Sequence, residues 1–150
     1  MRQITEGGRS FSGNERDKLF LNRGDGTFAD CSDLSASDDP NDGRGVIAAD
    51  FDDDGDIDMF IHHTQRERHT LQRNELGEGD GFLKVRLRAT TAQYEAIGAM
   101  VIVTGPHGPT AQVLSRGAGI VSSQSDELVF GLGSLEQAEV EVVWPGGHRE

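Results

Sequence analysis

Cysteine, lysine and long apolar runs are nearly or wholly missing from this chain of 150 residues. Cys31 is its one cysteine, which excludes an internal disulfide and any thiolate-based metal site. Beside Phe28 and Leu34, it reads as a small hydrophobe rather than a reactive thiol. No stretch of apolar residues is long enough to span a bilayer as a helix. The segment Met1-Arg-Gln-Ile-Thr-Glu-Gly-Gly has no apolar core and is not a signal peptide, so if the parent protein is exported its signal is missing from this chain. Helical periodicity is also lacking, and only Ser134 to Ala138 reads as one helical turn. Ser122, Ser123 and Ser125 have no nucleophile-elbow context, and no glycine-rich phosphate loop opens a helix. No residue is therefore assigned to catalysis.

Acids and glycine are abundant. Twenty-six Asp and Glu stand against 14 Lys and Arg, for a formal net charge of -12. The acids crowd between Asp30 and Asp58, where Arg44 is the only base. That density excludes nucleic-acid binding, which needs a basic surface, and an anionic membrane surface for the same reason. It favours cations. Hydrophobic residues make up 35% of the chain, enough for a modest core, and the 20 glycines imply many turns between short strands.

The short apolar runs follow that expectation. Leu19 to Leu21 and Phe28 to Cys31 flank Asn22-Arg-Gly-Asp-Gly-Thr27, where Asp25-Gly26 is a hairpin signal. That turn spells Arg-Gly-Asp, a recognition tripeptide common by chance, and the turn alone explains it. Residues 1–17 read as a lead-in loop and residues 32–43 as a loop. Gly45 to Asp50 and Ile57 to His62 read as strands, and residues 64–70 as a loop or short edge strand. After Gly77-Glu-Gly-Asp-Gly81 the strands lengthen, which places a boundary between domains at 1–76 and 77–150. In Phe82 to Arg88, Phe82, Leu83, Val85 and Leu87 are read onto one face, with Lys84, Arg86 and Arg88 on the other. Met100 to Thr104, Ala111 to Ser115, Glu127 to Phe130 and Ala138 to Trp144 complete the strands. The fold class expected is all-β.

The sharpest signal is Asp50-Phe-Asp52-Asp-Asp54-Gly55-Asp56-Ile-Asp58. Acids at positions one, three, five, seven and nine, with Gly at six, match the opening of an EF-hand calcium loop. Ca²⁺ takes 6–8 oxygens, and a chain wrapping an ion presents side chains inward at every second residue. Asp50, Asp52, Asp54 and Asp58 would give carboxylates and Asp56 its main-chain oxygen, while Asp53 would face solvent. Position twelve is Ile61 where an EF-hand needs Glu, and the flanks read as strands. The reading is a strand–loop–strand Ca²⁺ site closed by Asp58, rather than a solvated acidic turn. Mg²⁺ fits less well, since it prefers rigid octahedral geometry and keeps its waters. Adjacent His62 and His63 point to opposite faces of a strand, so they do not share an ion. Lys84 could approach Asn74, but its alternating strand is enough to explain it.

Leu19 to Phe28 followed by Gly43 to Asp58 resembles the FG-GAP/VCBS repeat of calcium-binding β-propellers. Downstream, Phe82 to Leu87, Ile97 to Ala99, Val101 to Val103, Ser115-Arg-Gly-Ala-Gly119, Ser122 to Gln124, Phe130-Gly-Leu-Gly133 and Val143-Trp-Pro-Gly146 resemble the ASPIC/UnbV domain. The resemblance implies a calcium repeat packed with a β-sandwich-like domain, and a secreted, cell-surface or periplasmic setting. It implies a role in adhesion or interaction with a protein or surface-glycan partner, and it carries no catalytic residues. It places metal ligands at Asp50, Asp52, Asp54, Asp56 and Asp58. A second reading is an accessory or catalytic part of a larger secreted or biosynthetic enzyme. About one and a half repeats are too few to close a propeller. The repeats are therefore expected to pack on the second half, to oligomerise, or to be part of a longer protein.

Overall fold

The computed structural model describes residues 16–64, 68–77, 79–90, 94–120 and 122–150. The lead-in over 1–17 falls mostly outside these residues, as does the middle of the polar stretch 64–70. The described residues contain no helix and pair their strands antiparallel wherever the register is defined. The fold is all-β. The contacts divide the chain into two units, one of Met1–Val46 and Phe60–Gln72, the other of Ile47–Met59 and Arg73–Glu150.

The first unit opens with a hairpin of β1 (Phe20–Asn22) and β2 (Phe28–Asp30), in the register Phe20↔Asp30 and Asn22↔Phe28. Its turn is built from short polar side chains. The Asn22 carboxamide oxygen accepts from Gly24 N–H, and Asp25 accepts from both the N–H and the hydroxyl of Thr27. Gly24, at positive φ, and Asp25, bonded to Thr27, are explained by this exposed turn, and Arg23 stands exposed beside them. Phe20, Leu21 and Phe28 are exposed. The unit also holds parts of β3 (Gly43–Ala49) and β4 (Asp58–His63), and all of β5 (Thr70–Gln72), ordered β3-β4-β5. Of the stretch 64–70, read as a loop or a short edge strand, only Thr70 lies in a strand among the described residues, at the start of β5. Buried polar side chains tie the unit together. The His63 Nε2 lies 3.1 Å from the Thr70 hydroxyl, Asp42 accepts from the Thr64 hydroxyl, and the Ser37 hydroxyl donates to Gln72. His62 instead stacks on His69, which fits the opposite faces expected of His62 and His63.

The second unit contains β6 (Gly81–Arg86), β7 (Met100–Gly105), β8 (Gly108–Val113), β9 (Gly117–Gly119), β10 (Ser122–Ser123), β11 (Glu127–Gly133) and β12 (Glu139–Val143). One sheet pairs β6 with β11, a second runs β12-β7-β8, and β9 pairs with β10. Inward residues of both larger sheets meet in one core, formed by Val101 and Val103 from β7 and Leu128, Phe130 and Leu132 from β11. Leu83 and Val85 of β6 pack against it. This sandwich-like arrangement follows from period-two alternation with one wet face.

Several details differ from the sequence reading, and β9 and β10 were not read as strands at all. Strand β8 starts at Gly108 rather than Ala111, because Gly105 pairs with Gly108 and only Pro106 and His107 form the corner. No helical turn forms over Ser134 to Ala138; a single Leu135 N–H to Leu132 carbonyl bond closes that bend. Phe82 lies on the Lys84 face of β6, away from the core, as strict alternation requires of residues two apart.

Candidate metal centre

The Asp-rich loop joins β3 to β4 and lies in the second unit. Its path depends on Gly55, whose φ is +98°. A Cβ there would stand within 3 Å of three Phe82 ring atoms, so Gly55 is required by both conformation and space. Asp53 also has positive φ, at +64°, a region that Asp tolerates better than most residues.

Oxygens from Asp50, Asp52 and Asp58 lie within 4.8 Å of one another, and they are the group of three the described residues offer to a metal ion. Asp58 is fixed most firmly. Its side chain is buried, with Oδ2 accepting from Phe51 N–H at 2.9 Å and Oδ1 from Asn74 N–H at 2.8 Å. Asp50 is divided in function. Its Oδ2 accepts from Gly55 N–H at 2.8 Å and meets the Lys84 ammonium at 2.8 Å. Its Oδ1 is buried and has no hydrogen-bond partner among the described residues. The Asp50 side chain is only 1% exposed, so that bare oxygen is costly unless a cation takes it.

The remaining acids are placed differently. Asp54 accepts from Asp56 N–H and pairs with Arg73, and the Asp56 carboxylate accepts from Gly77 N–H at 2.8 Å. With its carboxylate so engaged, Asp56 keeps its main-chain oxygen to offer. Asp53 is 87% exposed, as expected, but its carboxylate also meets Lys84. Burial pushes the Asp50 carboxyl up, but the Lys84 ammonium and the backbone N–H groups of Gly55 and Asp53 outweigh it and hold the group below its ordinary value. Hydrogen bonds to Asp50 and Asp53 push the Lys84 ammonium upward.

An all-oxygen, multiply charged donor set with one orphaned buried oxygen suits a hard divalent cation. The residues fit such an ion. Sequence reasoning missed the cations around it. Arg73 reaches Asp52 at 2.5 Å and Asp54 at 3.4 Å, and Lys84 approaches Asp50 rather than Asn74. The Asn74 carboxamide oxygen accepts from Leu76 N–H instead. Phe82 and Lys84 reach the loop from one face of β6, a contact between distant segments that no local spacing announces.

Comparison with known proteins agrees with this anatomy. Residues 10–61 match the model of the FG-GAP-like repeat, and residues 89–150 match that of the ASPIC and UnbV family. Cartilage acidic protein 1 of Homo sapiens is 29% identical over 107 residues, covering 70% of this chain and 16% of the relative. The Mus musculus protein of the same name is also 29% identical, over 70% of this chain and 17% of its own length. The Xenopus tropicalis protein is 29% identical over 110 residues, covering 71% and 17%. The chain thus spans about a sixth of the length of these relatives. Residues 10–61, which hold the loop, are thus similar to an FG-GAP-like repeat, and residues 89–150, which hold most of the later sheets, are similar to an ASPIC and UnbV domain.

Proposed function

We propose that this chain is a calcium-stabilised, non-enzymatic interaction module that works outside the cytoplasm, with Ca²⁺ serving structure rather than chemistry. The observation that carries the reading is the orphaned Oδ1 of Asp50 beside oxygens of Asp52 and Asp58. A carboxylate oxygen buried without a partner destabilises a fold, and an ion at that position removes the penalty. Asp50, Asp52 and Asp58 would supply carboxylates, Asp56 its carbonyl, and Asp54 the remaining side chain. Bound Ca²⁺ would supply positive charge that fastens β3 to β4. The crowded acids favour Ca²⁺, whose flexible coordination accepts an irregular shell better than Mg²⁺ does.

An extracytoplasmic setting is supported by the relatives, which are named for cartilage, a tissue made largely of extracellular matrix. The partner would be a protein or surface glycan. An acidic chain with net charge -12 favours a partner with basic groups over a nucleic acid.

Thermal unfolding tests the calcium reading. Wild type should melt higher in excess Ca²⁺ than in chelator, with a gain of about 2.7 kcal/mol when free Ca²⁺ is a hundredfold above Kd. Asp52→Asn should lose most of that gain. Equal melting points in Ca²⁺ and chelator for wild type would sink the reading.

A further inference from the structure

Lys84 is one of two lysines in the chain, and its side chain is only 19% exposed. It projects from β6 between Leu83 and Val85, which pack on the core, and its backbone is paired with Val129 of β11. The ammonium is therefore delivered to the loop by a rigid element. On the same face, Phe82 occupies the space that Gly55 leaves. The pair with Asp53 is exposed and contributes little. The pair with Asp50 is different, because that carboxylate is buried and would otherwise be uncompensated.

The two oxygens of Asp50 divide the work. Oδ2 takes the Lys84 ammonium and Gly55 N–H, while Oδ1 faces no partner among the described residues. A cation on Oδ1 and the ammonium on Oδ2 would share one carboxylate. Neither needs to displace the other, and each weakens the hold on the other, because like charges a few ångströms apart repel. Arg73 adds a similar charge at Asp52 and Asp54.

We propose that Lys84 is a resident counter-charge of the metal loop: it keeps the loop folded when no ion is bound and, in doing so, lowers the loop's affinity for a divalent cation. The proposal rests on the calcium reading above. A site weakened in this way fills where calcium is plentiful, and the lysine spares the loop from collapse when calcium falls.

Calorimetric titration with CaCl₂, combined with melting in chelator, tests the idea on the full chain. Lys84→Met removes the charge, and Lys84→Gln removes it while keeping a donor for Asp50, should the first variant fold poorly. Both should bind Ca²⁺ about tenfold more tightly than wild type, the size expected for one nearby like charge at a partly wet site. Both should melt below wild type in chelator, with the gap narrowing in saturating Ca²⁺. Arg86→Met, on the same strand but paired with Asp126 and Glu127, should leave the affinity within about twofold, as screened surface charges do. Unchanged or weaker affinity in the Lys84 variants, while wild type binds, would overturn the role assigned to Lys84. An equal gain in Arg86→Met would reduce the effect to net charge and overturn it as well. Absence of binding in every protein, wild type included, would overturn the calcium reading and this proposal with it.

Discussion

At the scale of single residues, the loop shows how few positions decide a site. Gly55 combines a φ of +98° with direct contact to Phe82. Alanine there meets both a disfavoured backbone and a ring that must move. Gly55→Ala should therefore cost about 1–3 kcal/mol for the backbone alone, with more for the displaced ring, read as a lowered midpoint in urea. Gly24→Ala also places a Cβ at positive φ, but nothing lies within 4 Å, so its cost should be the smaller of the two. The loop spacing, the role of Gly55 and the exposure of Asp53 were legible in the sequence because they are local. The cations Arg73 and Lys84 were not, since each reaches the loop from residues 15 or more positions away, and spacing carries no signal for that.

At the scale of elements, alternation was the reliable guide. The strands of the second unit sit where period two placed them, within a few residues. Errors arose where glycine lets pairing begin early, as at Gly105 and Gly108, or where strands are only two or three residues long, as in β9 and β10. Phe82 was misread because two apolar neighbours, Phe82 and Leu83, compete for one face, and only the core shows that Leu83 wins. Phe130 of β11 is central to that core and 3% exposed. Phe130→Ala should destabilise the chain by about 3–5 kcal/mol, seen in urea or thermal unfolding. Although β11 pairs directly with β6, which carries Lys84, Phe130 faces the core, so the same variant should blunt calcium binding only once unfolding sets in.

At the scale of the whole molecule, charge dominates. A net charge of -12 works against compaction near neutrality, yet several acids are held by cations in ways that make strong acid harmful too. The hydrogen bond from Arg88 to Asp126, aided by the charge of Arg86, holds that carboxyl below its ordinary value. A carboxyl depressed in the folded state contributes stability that is present above its unfolded pKa and lost as pH falls through the folded one. Stability should therefore decline as pH drops below about 4, and Asp126→Asn should flatten that part of the profile in acid unfolding followed by circular dichroism. Length and composition indicated an acidic all-β chain of short strands. They could not show that Ile47–Met59 would group with the second unit rather than the first, because that grouping depends on contacts distant in sequence.

The carboxylates of the loop also hold backbone hydrogens that spectroscopy can follow. The amides of Phe51, Gly55, Asn74 and Gly77 each end on an Asp oxygen at 2.8–2.9 Å. Their exchange with deuterium requires the loop to open, so its rate measures the local opening equilibrium rather than global unfolding. These four hydrogens, drawn from both the loop and the segment after β5, form a built-in gauge of how tightly the chain grips its own acids.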